Sequence, residues 1–136
     1  MNIVNIKIYT RIISEDGNDS TEFFTSGRYE DTENGYVLFY DEGNGIGYES
    51  CKVKITITGN LVIIERSGQV NTTLKIEEGA KHYCVYATPY GEISMGITAY
   101  EVENGLSDEG GKLRLRYCID VNSDFISENE MLITIS

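Results

Sequence analysis

A chain of 136 residues fits one domain, residues 1–136, and buries roughly two thirds of its unfolded surface, enough for a hydrophobic core without metals or disulfides. Eleven Lys and Arg against 22 Asp and Glu leave a net charge of −11. This argues against a nucleic-acid partner, because a phosphate backbone calls for a clustered basic footprint and the densest basic run is only Lys112, Arg114 and Arg116.

The first segment sets Val4, Ile6, Ile8 and Ile12 on one face and Asn5, Lys7, Tyr9 and Arg11 on the other, the period of a half-buried strand. No basic start, continuous apolar stretch or small-residue cleavage site marks it as a secretion signal. Turn residues follow at Glu15–Ser20, Asn34–Gly35 and Gly43–Gly45, with acids such as Asp41 and Glu42 read as turn acids. The fourth segment alternates Val53, Ile55 and Ile57 with Lys52, Lys54, Thr56 and Thr58. Past Gly59–Asn60, the fifth sets Arg66 in phase with Val62 and Ile64. Because Leu61 and Ile63 are also apolar, the facing of that strand stays open. After Ser67–Gly68 the sixth alternates Val70, Thr72, Leu74 and Ile76 with Asn71, Thr73, Lys75 and Glu77.

Beyond Glu78–Gly79, the one proline lies in Thr88-Pro89-Tyr90-Gly91, the residue order of a type I turn. Asn104–Gly111 reads as another turn. The ninth segment then alternates Leu113, Leu115, Tyr117, Ile119 and Val121 with Arg114, Arg116, Cys118 and Asp120. Ser123–Asp124 turns the chain into a tenth segment carrying Met131, Ile133 and Ile135. Nine turns thus delimit ten strands, and no window carries a helical apolar stripe. Short connections make a meander, and its long amphipathic terminal strands are costly to leave as free edges. The expected fold is all-β, a closed antiparallel up-and-down barrel of about 8–10 strands, with a two-sheet sandwich as the alternative.

The runs Glu65-Arg66-Ser67-Gly68, Ala87-Thr88-Pro89-Tyr90-Gly91-Glu92-Ile93, Leu113-Arg114-Leu115-Arg116-Tyr117 and Met131-Leu132-Ile133-Thr134-Ile135 resemble the YwiB-like family of small bacterial barrel proteins, a domain of unknown function. The resemblance extends over nearly the whole chain. It implies a calycin/lipocalin-like barrel and carries no activity, substrate or catalytic residue with it. Calycins often hold small apolar molecules inside the barrel, an analogy of fold and not of site.

Among the candidate ligand-binding residues, Arg66 comes first. Facing inward, a guanidinium needs an acid, carbonyls or an anionic ligand, and its planar fork suits a carboxylate or phosphate. Tyr86, Tyr90 and Tyr117 would give a cavity wall polar handles. His82 has no nucleophile motif or metal-ligand partners beside it and reads as an exposed strand residue. The pair Glu101 and Glu103 has the chemistry of acid and base, but no cleft is implied around it. No catalytic residue, metal or cofactor is assigned, and the protein is not expected to be an enzyme. Three cysteines, Cys51, Cys84 and Cys118, odd in number and without a CxxC, read as free thiols of a reducing, cytoplasmic compartment. No apolar run nears the ~20 residues that span a bilayer, so no membrane is expected as a partner. The expected function is binding of a small, partly apolar or anionic ligand in the barrel. The alternative is a protein–protein interaction module acting through the acidic surface, without an internal ligand.

Overall fold

Alternation, β-branched residues and frequent turn signals leave the chain little choice but strands. The computed structural model describes residues 2–42, 51–68, 71–88 and 90–136, with backbone alone at 86–88. The Gly43–Gly45 turn, Val70 and Pro89 lie outside the described residues. Ten strands follow one another: β1 (Asn2–Ser14), β2 (Gly17–Thr32), β3 (Gly35–Glu42), β4 (Cys51–Thr58), β5 (Leu61–Ser67), β6 (Thr72–Glu77), β7 (Lys81–Thr88), β8 (Gly91–Ser107), β9 (Gly110–Val121) and β10 (Asp124–Ile135). They form one antiparallel sheet in the order β6-β5-β4-β3-β2-β1-β10-β9-β8-β7. The terminal strands pair from Ile6↔Ile135 to Ser14↔Ser127, so the first and last segments remove each other's free edge. The result is a nearly closed barrel whose remaining gap falls between the consecutive strands β6 and β7.

Inside, the period-two faces meet as read from the sequence. Ile6, Ile8, Val53, Ile55, Ile57, Val62, Ile64, Ile76, Leu113, Leu115, Tyr117, Met131, Ile133 and Ile135 all belong to one buried cluster. Leu38, Tyr29, Tyr40, Ile97, Ala99 and Val102 complete it. Two irregularities keep the phase. The register shifts between Ala99 and Glu101, so Tyr100 is an extra residue, and Val102 returns to the interior where strict alternation would have placed Glu101. A second shift between Phe125 and Ser127 leaves Ile126 exposed.

Some expectations are corrected. Ile12 is exposed, because the end of the β1–β2 hairpin, where Asp19 stands opposite it, runs beyond the packed core. The turns read at Glu15–Ser20 and Asn104–Gly111 shrink to Glu15–Asp16 and Asp108–Glu109, since strand pairing absorbs the polar residues on either side. Glu101 and Glu103 belong to β8, opposite Arg116 and Arg114 respectively.

One end of the gap is stitched shut. Gly79 N–H donates to Ala99 O at 3.1 Å, and Ala99 N–H donates to Ala80 O at 3.2 Å. Glu78 N–H reaches Asn60 O at 3.2 Å, and the Asn104 amide donates to Gly59 O at 3.0 Å. Val102 N–H, displaced by the bulge, donates to Glu78 Oε1 at 3.0 Å. From there on, among the described residues, no backbone ladder joins β6 to β7.

Candidate functional site

On the inner face, strand register sets Tyr40, Val53, Arg66 and Thr72 in one cross-strand row from β3 to the edge strand β6. Val62 and Ile64, in phase with Arg66, are buried, which settles the facing of β5: Arg66 points inward. Its Nε donates to Glu42 Oε1 at 3.1 Å, with 27% of the Arg66 side chain and 34% of the Glu42 side chain exposed. Burial works against the guanidinium charge. The Glu42 carboxylate and its hydrogen bond outweigh that cost and hold the Arg66 pKa above its ordinary value, with smaller help from Tyr40 and Tyr117. Burial in turn pushes the Tyr40 phenol far up, Glu42 adds to the shift, and Arg66 opposes it. Tyr117 is raised by burial and lowered by Arg66.

The sequence-derived residues separate. Arg66 and Tyr117 act on each other from facing walls of the barrel. Tyr86 lies in β7 with its backbone opposite Ile93, and its side chain is outside the described residues. Tyr90 sits at the β7–β8 turn almost fully exposed, away from the interior group. Glu42 and Tyr40 complete the cluster. Glu42 is the last residue of β3 and holds Arg66, so the reading of it as a turn acid is corrected. The alternation Leu38, Tyr40, Glu42 is the signal that would have found both. His82 is likewise corrected: it is half-buried, with Nε2 2.8 Å from Glu77 Oε1 across the foot of the gap.

The gap opens into a recess of about 760 Å³. Val53, Cys84 and Arg66 line it from the inner faces, and Phe39, Lys52, Lys54, Lys75, Tyr83 and Val85 from the outer ones. Four of the eleven Lys and Arg (Lys52, Lys54, Arg66, Lys75) border it, against one of the 22 acids, Glu65, among its described lining residues. On a chain of net charge −11 that is an inversion of sign. Among the described residues, Lys52, Lys54 and Lys75 take part in no ion pair. The basic run noticed in the sequence is different: Arg114 is held by Glu130 at 3.3 Å and Glu101 at 4.0 Å. Among the described residues, no three His, Cys, Asp or Glu side chains gather as a metal site would need.

Fold and recess together define a small, nearly closed antiparallel barrel with a basic cleft in its wall. The family model described as "Domain of unknown function (DUF1934)" matches residues 6–133, and the chain belongs to that family. The uncharacterized beta-barrel protein YwiB of Bacillus subtilis (strain 168) is 27% identical over 124 residues, spanning 90% of this chain and 86% of that protein. The crystal structure of ywiB protein from Bacillus subtilis matches with a TM-score of 0.76 at 19% identity, covering 98% of this chain and 92% of that one. The YwiB-like resemblance is therefore borne out, and so is the barrel. None of these matches assigns an activity.

Proposed function

We propose that the protein is a cytoplasmic binding module, not an enzyme, and that it takes an anionic, partly apolar ligand at the β6–β7 gap. The observation that carries this is the recess of about 760 Å³ bordered by Lys52, Lys54, Lys75 and Arg66 on an otherwise acidic molecule. Among the described residues Lys52, Lys54 and Lys75 form no ion pair, although Asp41 and Glu65 stand opposite Lys52 and Lys54. The excess of basic groups leaves positive potential for an anion, and Phe39, Val53 and Val85 offer apolar surface beside them. Among the described residues 20 buried side chains form one cluster inside the barrel, so the calycin/lipocalin-like architecture is proposed here with its ligand in the wall instead of the centre. Free Cys51, Cys84 and Cys118 are in keeping with a reducing compartment.

The alternative, a module that binds partners through its acidic surface, has less support. Glu22, Glu30, Glu101 and Glu130 lie beside basic neighbours on the outer strands. The test is an amide NMR titration with a naphthalene sulfonate and, separately, with a naphthyl ammonium of similar shape. Shifts around Lys54, Arg66 and Lys75 with the sulfonate alone are expected. Equal responses to the two probes, or none at the gap, would refute the proposal.

A further inference from the structure

Resting on that reading of the gap as the binding site, we infer that its occupant is an extended acidic peptide segment, which adds as an eleventh strand to the free edge of β6. Three observations meet at this edge. First, Thr72–Glu77 hydrogen-bonds to β5 on one side, from Arg66↔Thr72 to Leu61↔Glu77, while among the described residues its other side has no strand partner. A strand edge of this kind presents alternate N–H and C=O groups to solvent and is a template for main-chain pairing. Second, the edge approaches β7 and β8 at its Glu77 end, where the hydrogen bonds cluster at Glu77–Ala80 and the His82–Glu77 contact marks the foot of the opening, and Thr72, Thr73 and Lys75 border the recess beyond it.

Third, the two faces of the edge differ in chemistry. Lys75 is exposed on the outer face, and Lys54 and Lys52 follow on the outer face of β4. Leu74 and Ile76 point the other way, Leu74 half-buried and Ile76 buried. An added strand must alternate in the same phase, because successive side chains point to opposite faces of a sheet. Its outward residues would lie beside Lys75, with Lys54 and Lys52 two strands further along the same face, and its inward residues beside Leu74. The matching segment therefore alternates acidic with apolar residues. A compact anion would satisfy the lysines and leave the backbone of β6 unused, and a basic peptide would meet like charge.

The experiment uses the full chain, labelled for amide NMR, and a capped synthetic peptide of alternating glutamate and valine. Binding should slow hydrogen exchange at alternate amides of Thr72–Glu77, those that point away from β5. N-methylation of alternate peptide nitrogens removes the donors a strand pairing needs and should abolish binding. K75E, at an exposed position opposite Ile63, should weaken it about tenfold or more while leaving the amide spectrum of the free protein otherwise unchanged. Undiminished binding of the N-methylated peptide would overturn strand addition. A sulfonate that shifts the gap while the peptide does not bind would overturn this inference and leave the binding-module reading standing. Failure of both probes would remove both.

Discussion

Arg66 of β5 reaches over the intervening strand β4 and donates from Nε to Glu42 Oε1 of β3, 3.1 Å away. Three neighbouring strands are thereby tied at the mouth of the gap by one charged contact. Such a pair is asymmetric. Removing the acid leaves a guanidinium whose charge burial disfavours, whereas Arg66→Met takes that charge away, keeps an apolar stem and leaves a carboxylate that is 34% exposed.

The first prediction follows from that asymmetry. Glu42→Gln should cost about 1–2 kcal/mol in urea unfolding, and Arg66→Met should cost clearly less. The double variant should come out no worse than Glu42→Gln alone. Equal losses from the two single changes would mean that the contact contributes packing and little charge pairing.

A second relationship secures the other end of the gap. The bulge at Tyr100 turns Val102 N–H out of the ladder, and Glu78 Oε1 accepts it at 3.0 Å. Val102 is buried, so without Glu78 that donor would lose its partner in a place of poor access to water. Glu78→Ala should therefore destabilise the barrel by about 1–3 kcal/mol and speed hydrogen exchange at Val102 and Ala99 ahead of global unfolding. Unchanged exchange at Val102 would show that water replaces the carboxylate without loss.

What could be read in the sequence was whatever depends on local period and turn chemistry. Val53, Ile55 and Ile57, or Leu113, Leu115 and Tyr117, announce their inward face by alternation alone, and the pairing of the first strand with the last follows from the cost of leaving two long edges free. The extra residues Tyr100 and Ile126 were not read, because the phase change each makes, from Ile97 and Ala99 to Val102 in β8, is a single step and the extra residues are themselves apolar. The basic recess was invisible for a different reason. Lys52, Lys54, Arg66 and Lys75 come from three strands and never form a run, so the eye goes to Lys112, Arg114 and Arg116, where carboxylates hold Arg114. The partner of Arg66 was hidden by a boundary: with Glu42 assigned to a turn, nothing pointed at its place on the inner face of β3.

Gly27 tests how tightly the wall is folded. A methyl group there would press on the Phe39 carbonyl oxygen and come within 2.7 Å of Ile6 Cδ1 and 3.1 Å of Tyr40 Cβ. The side-chain contact with Ile6 could relax by a change of rotamer, but the carbonyl belongs to the neighbouring strand β3 and moves only with the ladder. Gly27→Ala should lower stability by about 1–3 kcal/mol despite its gain in backbone rigidity. Gly79→Ala, at φ 78° with nothing near its Cβ, should lose about 1 kcal/mol through dihedral strain alone. A stable Gly27→Ala would mean that β2 and β3 can separate there without breaking their pairing.

The last prediction concerns alkali. Tyr29, Tyr40 and Tyr117 all have phenols raised above the ordinary 10.0, chiefly because burial disfavours the phenolate. For Tyr29 the charges of Tyr36 and Asp108 add to the effect, and its hydroxyl also donates to Ser107 O at 2.8 Å. The sign is fixed by linkage. Above a pH near 10 the unfolded chain releases these protons and the folded one keeps them, so the folded state binds more protons and stability falls as pH rises. The contribution is fully present below the unfolded value and is lost on the way up to the raised folded values. Urea midpoints should accordingly fall progressively above about pH 10, with buried-phenolate absorbance appearing together with unfolding and not before it. Tyr40→Phe removes one of the three groups without removing its ring, and should make that decline shallower. A phenolate signal from all three rings in the folded protein, at the ordinary pKa, would contradict the burial on which the barrel core depends.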